Sequence, residues 1–194
     1  MSQTSRNRTS RQPPKPPPRP LGAVRLEELA LAYAARYAVS AAKLADYLRR
    51  KLRERGWEGE GEPPVGKVVA RFVAAGYVDD AAYARAKSAS MLRRGLGMRR
   101  VNQAWQAAGI ASDDRADAMA DEAEQRRAAL AQARKRRVGP YGAPGADRAT
   151  REKQIAAMLR AGHPLDSARE LVNAASVEAA EQWAAQADGD EPCA

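Results

Sequence analysis

The chain reads as an all-α protein made of tandem repeats of a three-helix module, forming an elongated curved body. Three observations predict this. Apolar residues recur at helical spacing in segment after segment, glycines stop three predicted helices at a constant interval, and Ala, Arg and Glu dominate a 194-residue sequence with few β-branched runs. Alanine loses no side-chain entropy in a helix and long straight side chains lose little. Small apolar side chains also make thin interiors, so several modest helical clusters are expected in place of one thick core.

The elements follow in order. Leu26, Leu29, Ala30, Tyr33, Ala34 and Tyr37 form one apolar stripe of a first helix. Ser40 is placed to cap a second helix, with Leu44, Leu48 and Leu52 on one face and Gly56 as its left-handed stop. An acidic Gly/Pro loop, 58–64, leads to Val65, Val68, Val69, Phe72 and Val73, and Gly76 ends that third helix. Asp79 and Asp80 open a fourth, where acids suit the positive end of the helix dipole, with Tyr83, Ala84 and Met91 on one face. Arg93-Arg94-Gly95-Leu96-Gly97 breaks it. Met98, Val101 and Trp105 mark a fifth, stopped by Gly109 before Ile110. Ser112-Asp113-Asp114 is read as the cap of a helix running through Met119, and a strongly basic helix over 122–138 follows it or continues it. A Gly/Pro hinge, 139–145, precedes Ile155, Met158 and Leu159, which Gly162 closes. Leu165, Ala168, Leu171 and Val172 mark the last helix.

The repeat is the strongest signal. Gly56, Gly109 and Gly162 stand 53 residues apart, and four residues before each comes a large apolar side chain: Leu52, Trp105, Met158. Such a period reads as stacked units, each unable to bury its apolar face alone. The expected organisation is a disordered basic Pro-rich arm (1–22), three-helix repeats over 23–78, 79–121 and 122–175, and an acidic C-terminal tail (176–194).

Charge points to the partner. The +5 of the first twenty residues and the −5 of 178–194 cancel, so residues 21–177 keep the whole +9 of the chain. A basic body suits a polyanion, either nucleic acid or an acidic protein groove. Three arginine-rich clusters carry it: Arg49, Arg50, Lys51, Arg53 and Arg55; Arg93, Arg94, Arg99 and Arg100; and Arg126, Arg127, Arg134, Lys135, Arg136 and Arg137. The planar guanidinium fork pairs bidentately with carboxylate or phosphate. Aromatic interleaving of the kind that stacks single-strand bases is nearly absent from these runs, so nucleic-acid binding is expected to be electrostatic and sequence-tolerant.

Reaction chemistry is not expected, and neither are cofactors. His163 is the only histidine and falls where the other repeats carry Trp57 and Ile110, a structural loop position. Cys193, the only cysteine, lies in the acidic tail with no basic neighbour to lower its pKa. Gly95-Leu96-Gly97-Met98 follows a helix, not a strand, and lacks the lysine of a phosphate loop. No apolar run is long enough for a membrane span and no secretory signal opens the chain, so a cytoplasmic protein is expected.

The central third also resembles a known family. Gly76-Tyr77-Val78-Asp79-Asp80-Ala81-Ala82-Tyr83-Ala84, then Arg93-Arg94-Gly95-Leu96-Gly97-Met98-Arg99-Arg100-Val101, Trp105 and Gly109-Ile110, is similar to the signature of RecX proteins. The flanking stretches, Tyr33-Ala34 with 48–57, and 155–172, are compatible with its first and third repeats. The resemblance implies three tandem three-helix repeats and a non-enzymatic regulator of the RecA recombinase in DNA repair and the SOS response. It implies a protein that lies in the groove of the RecA nucleoprotein filament and lowers strand exchange and ATP hydrolysis; a monomer is expected, since nothing in the sequence demands a dimer. Contacts to RecA or to phosphates of single- or double-stranded DNA would then fall to Arg49, Arg50, Arg53, Arg93, Arg94, Arg99, Arg100, Arg134, Lys135, Arg136 and Arg137. The chain departs from the family in its long acidic 58–64 loop, in His163 and in the basic arm. The competing reading is a free-standing, sequence-tolerant DNA-binding protein acting without RecA.

Overall fold

Apolar stripes of this kind bury themselves only by packing helix on helix. In the computed structural model, which describes residues 19–187, ten α-helices do so, and no strand occurs among those residues. They are α1 (Ala23–Arg36), α2 (Ala41–Arg55), α3 (Val65–Ala74), α4 (Asp80–Arg93), α5 (Met98–Ala107), α6 (Ser112–Ala116), α7 (Glu122–Arg136), α8 (Arg148–Ala161), α9 (Leu165–Asn173) and α10 (Val177–Gln186). A 3-10 turn, Gly139–Tyr141, links α7 to α8.

The buried side chains fall into three clusters. Leu26, Leu44, Leu48, Val68 and Phe72 join α1, α2 and α3. Met91, Val101, Trp105 and Ile110 form the second around α4 and α5. Met158, Leu171, Val172 and several alanines form the third around α7, α8 and α9. Helix α7 serves two of them, with Ala128 in the second and Ala129 and Ala133 in the third. Trp105 is fully buried and its indole N–H donates to the Ala84 carbonyl at 3.0 Å, so the largest side chain of the second cluster leaves no polar atom unpaired.

The clusters join through helix ends. Gly97, the N-cap of α5, donates its backbone N–H to the Ala161 carbonyl at the end of α8 (2.9 Å), and the Arg99 N–H donates to Gly162 (3.2 Å). At the other end of α5, the Ala108 carbonyl accepts the Ser40 hydroxyl at 2.6 Å, and Ser40 is the N-cap of α2. Ala108 and Ala161 are again 53 residues apart. In both seams carbonyls at the negative end of one helix meet donors at the positive end of the next, which satisfies groups that helix termini otherwise leave open. Gly97 permits the second approach, because a Cβ there would collide with the Gly162 carbonyl.

Several elements differ from the sequence expectation. Leu21, placed in the arm, is fully buried and exchanges backbone hydrogen bonds with Gly56 and Glu58, so the chain is anchored before α1 starts. The rest of the expected arm, residues 1–18, lies outside the described residues, as does 188–194 of the expected tail. Ser112 does not cap α6; Ala111 holds that position, and the helix ends at Ala116 instead of running through Met119. Helix α7 is a fresh start, fixed by a reciprocal capping box between Asp121 and Glu124. The first part of the expected tail is α10, capped by Ser176 and laid against α7 through Ala180 and Ala184. Trp183 anchors it, since Arg126 sits 5.0 Å over its ring and donates to its carbonyl at 2.9 Å. No helix among the described residues is long and apolar enough to cross a membrane.

Candidate functional site

The arginines separate by what they touch. In the first cluster Arg49 pairs with Asp46 at 3.2 Å, and Arg50 lies 3.8 Å from Glu54 and 5.5 Å over the Tyr47 ring. Arg53 lines a hollow of about 420 Å³ with Tyr33, Lys43, Asp46, Tyr47 and Arg50. Tyr33 and Tyr47 stack there with ring centroids 4.0 Å apart. Aromatic interleaving is nearly absent from the arginine run itself, where Tyr47 is the neighbouring ring, because Tyr33 comes from α1. Folding supplies it.

In the second cluster, Arg93 and Arg94 end α4 and are exposed, and Arg94 donates to the Ser90 carbonyl at 3.3 Å. Arg99 and Arg100 occupy the first turn of α5, the positive end of its dipole, where cations are ordinarily disfavoured. Arg99 resolves this by donating to the Leu159 carbonyl at the end of α8, so its guanidinium closes the second seam. Arg100 turns elsewhere.

In the third cluster, Arg134 pairs with Glu181 of α10 at 2.6 Å and lies 5.8 Å over the Tyr141 ring. The Tyr141 and Glu181 hydrogen bonds hold its pKa above the usual arginine value. Lys135, Arg136 and Arg137 are exposed at the end of α7, and Arg137 adopts left-handed backbone (φ 54°) as the C-cap.

One place gathers arginines from three helices. Arg100 of α5, Arg136 of α7 and Arg160 of α8 line a groove of about 300 Å³ at the seam between the second and third clusters. Its remaining walls are Leu96, Gln132, Ala157 and Ala161, so no carboxylate lines it. Arg100 donates to Gln103 at 3.1 Å, and none of the three is ion-paired to a described carboxylate. Uncompensated guanidiniums converging on an open groove favour an anion that can accept several charge-assisted hydrogen bonds. Arg160 is absent from the sequence-predicted set, because it belongs to no basic run, seven residues beyond Lys153, and reaches the others only through the seam.

Beneath the groove the seam is pinned. His163 is buried, and its Nε2 lies 3.0 Å from the Gly95 carbonyl. Burial holds the imidazole below its ordinary pKa, opposed in part by that hydrogen bond, so the ring is neutral near pH 7. A larger hollow, about 540 Å³, lies at the Gly/Pro hinge, but Arg151 is its one charged lining residue and it gathers no set of chemical groups. Among the described residues no three His, Cys, Asp or Glu side chains could hold a metal ion.

No protein-family model matches the chain. A curated relative, the regulatory protein RecX of Myxococcus xanthus (strain DK1622), is 32% identical over 165 residues, covering 80% of this chain and 88% of the relative. The crystal structure of RecX from Lactobacillus salivarius superimposes with a TM-score of 0.60 at 16% identity, covering 77% of this chain and 94% of the other. That second likeness concerns the fold.

Proposed function

The chain belongs to the RecX family, and on that premise we propose that it regulates the RecA recombinase by binding, lying along the groove of the RecA–DNA filament and lowering its ATPase and strand-exchange activity. The observation that carries this reading is the groove formed by Arg100, Arg136 and Arg160, where three helices contribute cations with no lining carboxylate. Such a surface fits acidic side chains of filament protomers and DNA phosphates alike, and it sits on a body whose net charge is +9 without its charged ends. The exposed Arg49, Arg53, Arg93, Arg94, Lys135 and Arg137 extend the same face chemistry to the neighbouring bundles. Arg99 and Arg134, committed to a carbonyl and a carboxylate within the chain, contribute chiefly to its architecture.

The test is RecA ATP hydrolysis on single-stranded DNA with the full chain added below one copy per protomer. A slower rate and shorter filaments are expected. Unchanged hydrolysis, strand exchange and filament length at every ratio would remove the reading. Tight binding to DNA alone that survives moderate salt would point to a free-standing DNA-binding protein, because a purely electrostatic binder weakens steeply as salt rises.

A further inference from the structure

The hollow between α1 and α2 holds a combination that the arginine groove lacks: cations set against aromatic rings. Tyr33 and Tyr47 lie nearly parallel, 3° apart in plane with centroids 4.0 Å apart, and Tyr37 tilts against Tyr33 at 5.3 Å. The three rings make a ladder from α2 to the end of α1, and its outer ring, Tyr37, is 49% exposed. Tyr33 and Tyr47 are only partly buried. Cations stand at both ends, with Arg36 over Tyr37 at 5.5 Å and Arg50 and Lys51 over Tyr47 at 5.5 and 5.9 Å. At about 420 Å³ the hollow beside this ladder falls in the size range of small-ligand pockets.

We propose that this hollow receives an unpaired base of a single-stranded nucleic acid, stacked on the tyrosine ladder, with Arg50 and Arg53 on the phosphates beside it. Aromatic faces accept any base, and flanking cations hold the strand. Both arginines are available. The ion pair of Arg50 with Glu54 is exposed and 3.8 Å long, so it contributes little. Glu54 is also held by Lys51 at 2.6 Å, so Arg50 turns to a phosphate without leaving that carboxylate unpaired. Arg53 is exposed and forms no ion pair with a described carboxylate. Lys43 is committed, since its Nζ donates to the Tyr83 hydroxyl at 2.7 Å and fixes that wall against α4. Asp46, the one acid on the lining, separates a nucleotide from other anions. It repels a bare phosphate or an acidic peptide, but its carboxylate accepts a hydrogen bond from the exocyclic amino group of a cytosine. An acidic peptide also has no use for the ring faces. This site goes beyond the RecA reading and does not rest on it.

The experiment measures binding of the full chain, without RecA, to a labelled oligodeoxycytidylate and to an abasic strand of equal length, which keeps every phosphate and lacks the bases. The base-bearing strand should bind about tenfold or more tightly, the scale of one base stacked on one aromatic ring. Both affinities should fall as salt rises while their ratio persists, because counterion release belongs to the phosphates. An oligoribocytidylate arm distinguishes RNA from DNA as the strand, and base dependence is required of the tighter of the two. Replacing both rings, Tyr33→Leu with Tyr47→Leu, should bring the ratio near one and leave the abasic strand bound as before. Equal binding of base-bearing and abasic strands by the parent would overturn the proposal, as would a folded double variant that keeps the ratio. Polyglutamate binding tighter than either strand, lost in the double variant, would overturn it in favour of an acidic protein partner. RecA does not enter the readout, so this site and the proposed function can each fail alone.

Discussion

Ser40 reaches 68 residues along the chain to donate its hydroxyl proton to the Ala108 carbonyl at 2.6 Å, while the same oxygen accepts the Lys43 N–H at 3.3 Å. One side chain therefore caps α2 and closes the first seam, and it is fully buried while doing so. Ser40→Ala removes the cap and orphans a buried carbonyl, at a cost of about 1–3 kcal/mol. A fall in Tm of about 3–9 °C is expected by circular dichroism. An unchanged Tm would show that the seam does not depend on this contact.

The second seam depends on pH through His163. Its folded-state pKa lies below the ordinary 6.5 because the ring is buried. The unfolded chain therefore takes up the proton first as pH falls, so this contribution is fully present above about 6.5 and lost on acidification below it. The slope is at most about 1.4 kcal/mol per pH unit. Urea unfolding between pH 7.5 and 5 should show it, and His163→Gln should flatten it. A parent and variant with parallel profiles would contradict the assignment.

The seams also show how much of the molecule was legible in the sequence. Gly56, Gly109 and Gly162 announced their 53-residue period because each must adopt positive φ, which favours glycine whatever surrounds it. Ser40 and Asp79 announced their helices by local capping chemistry. Helix α10 stayed hidden because its buried face is mostly alanine, whose weak apolar signal is masked by Glu178, Glu181 and the acids beyond. The groove was half visible. Arg100 and Arg136 stand in basic runs, but which arginines keep a free guanidinium is decided by tertiary neighbours such as Leu159 for Arg99 and Glu181 for Arg134. Arg160 had no signal at all.

Arg137 holds left-handed backbone at the end of α7, a conformation that costs a side-chain-bearing residue about 1–2 kcal/mol. Arg137→Gly relieves that strain and gives back part of it through the freer unfolded chain, for a net gain of about 0.5–1 kcal/mol. A slightly raised Tm together with weakened RecA inhibition would separate the residue's structural cost from its proposed contact. A lowered Tm would contradict the strain.

Helix α10 is held by Trp183, which is packed beneath Arg126 and against the third cluster. Trp183→Ala should cost about 2–3 kcal/mol, less than a fully buried tryptophan because the side chain is only partly buried. Hydrogen exchange should then accelerate over Val177–Gln186 and leave α2 protected. Uniform acceleration along the chain would mean that α10 does not open by itself.

The groove at the second seam is tested most directly by measuring the affinity of the full chain for RecA filaments on single-stranded DNA, parent against the variant R100E/R136E/R160E. Arg148→Glu, at a distant exposed position paired with Glu152, serves as the control. Binding weaker by about tenfold or more, equivalent to about 1.4 kcal/mol, is predicted for the triple variant with its helical content intact and the control unaffected. A folded triple variant that binds and inhibits as the parent does would contradict the account.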